Sequence, residues 1–248
     1  GFMAEDSLSN TMQLFLATDM LCAQCHDHPY KKWTQKDFYK LIQLSAKLNS
    51  QCSWKLTTNS HWKFSKYIEK DDNVLDFGCG GGYLLKNINC LNKHGVEINE
   101  TAIEIAKKNS LKIFKNSNDL EKDFYDKIIS NHALQHCENP FQELLNLNKS
   151  LKKNGLIIIS ISCSNKKLLY KPNDINYQLF SWSPMNIGNL LNATGFEVLS
   201  ANIYNLRWLP KYEIFYKIFG EKIFIILCKL YAIFDNKISD IVAVAKKN

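Results

Sequence analysis

The sequence contains very little arginine. Arg207 is its single arginine, and the other basic residues are lysines scattered along the chain. The formal net charge is nevertheless +7. Nucleic-acid-binding surfaces usually cluster arginine and lysine on one face. We therefore expect no nucleic-acid partner, and we attribute the charge to a general bias toward lysine, asparagine and isoleucine.

Long apolar stretches and a disulfide framework are missing as well. No run of roughly eighteen uncharged apolar residues predicts a membrane-spanning helix. Residues 1–19 lack the basic start and long apolar core of a signal peptide. The eight cysteines are spread through the chain without the spacing of a small disulfide-rich domain. These features predict a cytoplasmic protein with reduced cysteines.

A glycine-rich segment, residues 73–85, is the most informative stretch of the chain. Its sequence NVLDFGCGGGYLL predicts a short apolar strand, a turn and the start of a helix. Gly78, Gly80 and Gly82 can take positive φ and let a ligand lie on the backbone. A dinucleotide-binding turn would need a third glycine where Tyr83 stands, which disfavours an NAD-dependent oxidoreductase.

Two carboxylates flank this turn. Asp76 precedes it and suits a cationic or ammonium-bearing ligand. Glu97 ends the second predicted strand about twenty residues later, where a carboxylate can accept both hydroxyls of a ribose. The pattern D-x-G-x-G-x-G resembles motif I of the class I S-adenosylmethionine-dependent methyltransferases. The resemblance covers residues 51–248 and implies S-adenosylmethionine as cofactor.

Strands alternate with helices through the rest of the chain. This rhythm predicts an α/β fold with a Rossmann-like, doubly wound, mostly parallel seven-stranded sheet whose last strand is antiparallel. We expect a methyltransferase domain over residues 51–248 with a helical insertion at 210–234, preceded by an N-terminal helical appendage over 1–50. The predicted strands are residues 74–77, 93–97, 111–115, 125–130, 156–162, 196–204 and 240–245.

The block DKIISNHALQHCENP, followed by LKKNGLIIIS, is also similar to the methyltransferase family. One departure stands out, because Gln135-His136 replaces the family's Glu-His pair. That change weakens any proposal that this block binds metal or supplies a carboxylate base, and we predict no metal there. The cofactor-binding residues implied by the resemblance are Asp76, Phe77, Gly78, Cys79, Gly80, Gly82, Glu97, Ile98, Asp119, Leu120 and Asn131.

The acceptor side is predicted in the polar and aromatic loop before residue 184. Tyr177 and Trp182 stand there beside Asn176 and Gln178, a combination that suits a sugar ring or a flat small molecule. The loop is similar to one in a methyltransferase subgroup found near polysaccharide- or lipid-modification genes. We therefore expect a small-molecule, sugar or lipid-linked acceptor.

Methyl transfer to a hydroxyl group requires a base, and we expect oxygen rather than nitrogen or carbon to be methylated. His132 and His136 are the candidate catalytic residues, with His61 less favoured.

The segment 212–234 is rich in aromatic and aliphatic residues and predicts two helices. Four roles stay open for them: packing against the domain, closing as a lid, forming a dimer face, or contacting a membrane surface peripherally.

The N-terminal stretch differs from the rest of the chain. Cys22, Cys25 and His26 form a C-x-x-C-H motif, which in c-type cytochromes attaches haem. The string CAQCHDHPYKKWTQKDFYKL is similar to a fragment of the planctomycete-type DUF1549 proteins, which occur with cytochrome-c-like domains. Three interpretations stay open: a haem-binding redox module, a metal site that adds His28, or an empty appendage acquired by gene fusion.

Overall fold

The computed structural model describes residues 62–163, 179–205, 209, 212–234 and 240–248. These residues fall into two compact units. Residues 62–163, 179–204 and 240–248 form a sheet unit, and residues 205, 209 and 212–234 form a helical unit. The C-x-x-C-H motif, His61, Tyr177 and Gln178 lie outside the described residues.

The sheet unit contains seven strands in the order β3-β2-β1-β4-β5-β7-β6. Strands β1 to β5 are parallel, and β7 runs antiparallel to both β5 and β6. This arrangement confirms the predicted α/β fold with its mostly parallel seven-stranded sheet. The helical appendage predicted over 1–50 lies outside the described residues. The strands are β1 Asn73–Phe77, β2 Asn92–Val96, β3 Lys112–Phe114, β4 Tyr125–Asn131, β5 Leu151–Ser162, β6 Phe196–Tyr204 and β7 Asp240–Lys247.

Five helices accompany the strands in the described part of this unit: α1 Trp62–Ser65, α2 Tyr83–Lys86, α3 Glu100–Lys108, α4 Pro140–Ser150 and α5 Pro184–Ala193. Short 3₁₀ turns lie at Ser117–Asp119 and Leu134–His136. Asn99, Asn139 and Ser183 cap the longer helices, each accepting a backbone N–H with its side-chain oxygen. The helix starts predicted at Pro140 and Ser183 are confirmed.

Both faces of the central strands are buried, as a parallel sheet requires. Along β5, alternate residues enter different apolar clusters: Ile157 and Ile159 face one, and Ile158 faces the other. The first cluster takes Leu144 and Leu147 from α4. The second takes Phe64 from α1. The sequence of β5 is almost continuously apolar because its side chains pack into apolar clusters on both faces of the sheet.

The structure corrects one predicted boundary. Helix α4 ends at Ser150, and β5 begins at Leu151 instead of residue 156. Leu151 is fully buried and pairs with Tyr125 of β4, so the chain enters the sheet directly from the helix. Asn154 takes a left-handed φ of 63° inside this early part of the strand.

The helical unit contains α6, Tyr212–Phe234, which is interrupted at Gly220 by a non-helical backbone (φ 69°, ψ 175°). The two predicted helices are therefore present on either side of that glycine. Phe224 and Cys228 are buried in this unit against Phe215 and Tyr216. Among the described residues, no helix combines the length and apolar character needed to cross a membrane.

The cap of α5 can be tested by substitution. Ser183→Ala should lower the free energy of unfolding by about 1 kcal/mol, because the N–H of Asn186 loses its acceptor. Ser183→Asp keeps an acceptor oxygen and should stay within ~0.5 kcal/mol of the wild type. Urea denaturation followed by circular dichroism measures both. Equal losses in the two variants would show that the cap is not what stabilises the helix start.

Candidate active site

The turn after β1 is built around glycines with left-handed backbones. Gly78, Gly80 and Gly82 have φ of 73°, 51° and 73°, a region that residues with a Cβ rarely adopt. A Cβ at Gly78 would also lie 2.1 Å from the Cβ of Ala133, just beyond β4. The turn therefore needs glycine both for its conformation and for its close approach to the loop after β4.

Hydrogen bonds fix the turn against the end of β2. The N–H groups of Gly78 and Cys79 both donate to the carbonyl of Val96, at 2.9 and 3.1 Å. The carboxylate of Glu97 accepts the N–H of Gly80 at 2.8 Å through Oε2 and the N–H of Asn99 at 2.9 Å through Oε1. Glu97 is thus oriented by two backbone donors while each oxygen keeps further lone pairs for a ligand.

Asp76 lies at the base of the turn and is 2% exposed. Burial, and then the nearby charge of Glu97, raise the pKa of Asp76 to about 7. The carboxyl group is therefore poised between its neutral and ionised forms near neutral pH. A ligand that brings a positive charge to this position would favour the ionised form.

Phe77 and Cys79 bury their side chains in the two apolar clusters of the sheet unit. They are 6% and 8% exposed, respectively. Gly95 makes room for the sulfur, since a Cβ there would lie 2.4 Å from Cys79 Sγ. Burial raises the pKa of the Cys79 thiol well above its usual range, which makes it a packing group and not a nucleophile.

Three further predicted residues follow β2 and β3. Ile98 is 77% exposed, directly after Glu97, and offers an uncovered apolar surface. Asp119 is exposed at the end of the turn after β3, whereas Leu120 beside it is buried in the core. The N–H of Glu97 donates to the carbonyl of Phe114, the last residue of β3, so these strand ends are neighbours.

The loop after β4 begins with polar groups at the same edge of the sheet. Asn131 Oδ1 is buried without a hydrogen-bond partner, which is uncommon for a buried polar atom. His132 has a left-handed backbone (φ 58°) and donates its N–H to the carbonyl of Ser160 at 2.7 Å. Its ring lies 3.4 Å from Ser162 Oγ and 3.6 Å from Asp240 Oδ2.

His136 has different surroundings. It is exposed, and its Nε2 lies 3.3 Å from Nε2 of Gln135. Gln135 is buried and accepts the N–H of Ser162 through Oε1 at 2.8 Å. The residue that replaces the family's Glu therefore joins the loop after β4 to the end of β5, a role that sequence reasoning missed.

The structure places Trp182 in the core and not on an open surface. Its ring is 3% exposed and belongs to the main apolar cluster. Phe180, whose ring centroid lies 6.0 Å from that of Trp182, is 41% exposed. Of these two described aromatic residues, Phe180 is therefore the one with an exposed side chain. Tyr177, the other predicted acceptor residue, lies outside the described residues.

No three His, Cys, Asp or Glu side chains cluster as a metal ion would require in the part of the chain that the structure describes. The proposed metal or haem ligands Cys22, Cys25, His26 and His28 fall outside that part. The possibility of a redox module therefore remains a prediction from the sequence alone.

Two family models match the chain. A model described as "Methyltransferase domain" matches residues 54–201. A second, described as "Protein of unknown function (DUF1549)", matches residues 3–50. Both matches agree with the two family resemblances inferred from the sequence.

The curated relatives include ubiquinone biosynthesis O-methyltransferases of Rickettsia. The protein of Rickettsia conorii is 31% identical over 160 residues, which cover 60% of this chain and 54% of the relative. That of Rickettsia typhi is 34% identical over 124 residues, covering 46% and 50%. The chain thus spans about half the length of these two relatives.

Solved structures share the fold. A methyltransferase from Archaeoglobus fulgidus described as dependent on S-adenosylmethionine has a TM-score of 0.58 at 19% identity, covering 85% of this chain and all of the other. A phosphoethanolamine N-methyltransferase of Haemonchus contortus, in complex with phosphomonomethylethanolamine and S-adenosylhomocysteine, has a TM-score of 0.55 at 16% identity, covering 77% and 52%. At these identities the likeness concerns the fold.

Glu97 should control cofactor affinity. Glu97→Ala should weaken S-adenosylhomocysteine binding by 1.5–3 kcal/mol, roughly 10- to 150-fold, because hydrogen bonds to a charged group are lost and the turn loses an anchor. Glu97→Gln keeps one acceptor oxygen and should lose less. Isothermal titration calorimetry measures both, with the exposed Glu100→Gln as control. Unchanged affinity in Glu97→Ala would contradict the role given to this carboxylate.

Asp76 should make cofactor binding depend on pH. Its pKa of about 7 leaves it largely neutral at pH 6 and ionised at pH 8, and the ionised form attracts a ligand ammonium group. S-adenosylhomocysteine should therefore bind more tightly at pH 8, and Asp76→Asn should bind weakly at both values. Calorimetry at the two pH values measures this difference. A wild-type pH dependence that persists in Asp76→Asn would assign the effect to another group.

The same substitution should stabilise the ligand-free protein. Because burial raises the pKa of Asp76 above its value of 3.8 in a solvated chain, ionisation of this group opposes folding, and stability is lost as pH rises toward 7. Asp76→Asn should therefore raise the melting temperature at pH 8 and change it little at pH 4. A lower melting temperature at pH 8 would contradict this account of the buried carboxyl group.

Proposed function

This chain belongs to the methyltransferase domain family, and we propose that it transfers a methyl group from S-adenosylmethionine to a hydroxyl oxygen of a small-molecule acceptor. The observation that carries the proposal is the Glu97 carboxylate, which two backbone N–H groups orient beside a glycine turn at the end of the parallel strands. Ligands of open α/β sheets bind at this edge.

The residues present fit such a cofactor. Glu97 has free lone pairs for two ribose hydroxyls, and Asp76 offers a buried carboxylate for an ammonium group. Gly78 and Gly80 have left-handed backbones and no side chains, so a ligand can lie directly on this part of the turn. Asn131 Oδ1, buried without a partner, is an acceptor that a ligand donor would satisfy. The exposed side chain of Ile98 offers an apolar surface for the adenine ring of the cofactor.

S-adenosylmethionine supplies a methyl group made electrophilic by its attachment to a sulfonium. The work left to the protein is orientation, exclusion of water and removal of the acceptor's proton. The carboxylates of Asp76 and Glu97 orient the donor from one side of the site. Two histidines could remove this proton: His132, directly after β4, and the exposed His136.

The choice of oxygen is supported by the curated relatives, which are named for O-methylation in ubiquinone biosynthesis. Exposed Phe180 suits a flat ring, whether a phenol, a sugar or the head of a lipid-linked molecule.

A peripheral membrane contact through α6 is part of this proposal. It is supported by exposed apolar side chains on that helix, namely Ile218, Phe219, Ile223, Ile226 and Leu230.

The acceptor atom can be tested with two probes of nearly equal shape. Catechol presents two ring hydroxyls, and 1,2-diaminobenzene presents two ring amines. With radiolabelled S-adenosylmethionine, label should appear in catechol at a rate at least tenfold above that in the diamine, because the site is arranged to remove a hydroxyl proton. Faster labelling of the diamine would contradict oxygen as the acceptor atom, and labelling of neither would contradict a small aromatic acceptor.

A further inference from the structure

Three elements of the sheet unit bring titratable groups to one point at the carboxyl end of β4 and β5. Lys63 comes from α1, His132 from the loop after β4, and Asp240 is the first residue of β7. Lys63 Nζ lies 2.7 Å from Asp240 Oδ2, and His132 Nε2 lies 3.6 Å from the same oxygen. A lysine and a histidine thus share one carboxylate oxygen.

This cluster is largely shielded from water. The side chains of Lys63, Asp240 and His132 are 9%, 14% and 24% exposed. Burial alone would raise the pKa of Asp240, but the His132 ring and the Lys63 ammonium together hold that pKa well below its usual range. Asp240 is therefore an ionised carboxylate at neutral pH. Buried ion pairs add little net stability compared with apolar packing, so stability alone does not explain this one.

The surrounding groups restrict the His132 ring. Ser160 Oγ accepts from Lys63 Nζ at 3.1 Å, and the Ser160 carbonyl accepts the N–H of His132 at 2.7 Å. Ser162 Oγ lies 3.4 Å from Nδ1 of the ring. Among the described residues, Cys163 is also close enough to Asp240 to be affected by it: burial, followed by the charge of Asp240, raises the pKa of the Cys163 thiol. The left-handed backbone of His132 is a strained conformation of the kind that recurs at active sites.

A carboxylate on one ring nitrogen decides which nitrogen carries the proton. With Asp240 facing Nε2, the neutral ring holds its proton there, and Nδ1 keeps a lone pair on the side of Ser162. We propose that His132 is the general base for the acceptor hydroxyl, that Asp240 is the residue that positions its ring and fixes its tautomer, and that Lys63 holds Asp240 in place. This inference rests on the proposed transfer to oxygen.

The acceptor's O–H bond breaks, and its proton forms an N–H bond at Nδ1 of His132. The oxygen forms the new C–O bond while the C–S bond of the methyl donor breaks and leaves its electron pair on sulfur. His132 later releases the proton to water. Asp240 stabilises the cationic ring during this time and gains no proton itself.

His136 has different surroundings. It is exposed, and its Nε2 lies 3.3 Å from Nε2 of Gln135. His132 is the stronger candidate because its ring lies 3.6 Å from the Asp240 carboxylate, which Lys63 in turn holds.

The first test measures the tautomer and needs neither cofactor nor acceptor. Two-dimensional ¹⁵N–¹H correlation spectra of the histidine rings, with the His132 signals identified from His132→Gln, should show the proton on Nε2 in the neutral wild-type ring. Asp240→Ala should shift the ring toward a mixture of the two tautomers, whereas Asp240→Asn, which keeps an acceptor oxygen, should retain more of the wild-type form. A wild-type ring with its proton on Nδ1 would overturn the proposal.

The second test measures turnover with catechol and binding of S-adenosylhomocysteine in the same variants. Asp240→Ala should lower kcat about 100-fold, the lower end of what a general base contributes. Asp240→Asn should lower kcat less, about 10-fold, because the amide keeps an acceptor oxygen. KM for catechol should change less than about threefold in both variants. Asp123→Asn is the matched control, since it removes an exposed ion pair to Lys247 at the other end of β7 and should leave kcat unchanged.

The outcomes separate the two proposals. Wild-type protein that fails to bind S-adenosylhomocysteine contradicts the proposed function, whatever the tautomer. Variants at Asp240 that bind it normally and keep kcat within twofold contradict only the role of Asp240. A third outcome would also overturn the inference. If both Asp240 variants lose S-adenosylhomocysteine binding and thermal stability, while Asp240→Asn keeps the wild-type tautomer of His132, the cluster only stabilises the fold.

Discussion

The hydrogen bonds of the Glu97 carboxylate hold the candidate cofactor site together. Its two oxygens accept backbone N–H groups from Gly80 and Asn99, and its own N–H donates to the end of β3. These hydrogen bonds therefore join the turn after β1 to the ends of β2 and β3. The same carboxylate helps raise the pKa of Asp76. The ligand-free site keeps two acidic groups close together, and the positive charge of a bound ligand would relieve that unfavourable arrangement.

The order of the strands separates the two halves of the proposed chemistry. Strands β1, β2 and β3 lie on one side of the sheet and carry Asp76, the glycine turn and Glu97. Strands β4, β5 and β7 lie on the other and carry His132, Ser162 and Asp240. The halves meet between β1 and β4, where the strand order reverses and where open α/β sheets place their ligands. Contact between Ala133 and Gly78 joins them at that point.

Much of this was predictable from the sequence because the signals are local. Strand and helix periodicity, the glycine pattern and the capping residues each depend on a few neighbouring residues, and the structure agrees with them. What the sequence could not predict depends on distant contacts. Asp240 joins Lys63 across 177 positions of the chain, and no short motif carries that pairing. Trp182 looked like a binding residue because aromatic side chains serve both cores and binding surfaces, and only the packing places it in the core.

Calorimetric titration of the complete chain tests the central claim most directly. If the carboxylates and the glycine turn form a methyl-donor site, S-adenosylhomocysteine should bind with one molecule per chain, and NAD should give no measurable heat under the same conditions. The reverse result, with NAD binding and S-adenosylhomocysteine showing none, would mean that the turn holds a dinucleotide despite Tyr83. The assignment of this site as a methyl-donor site would then be wrong.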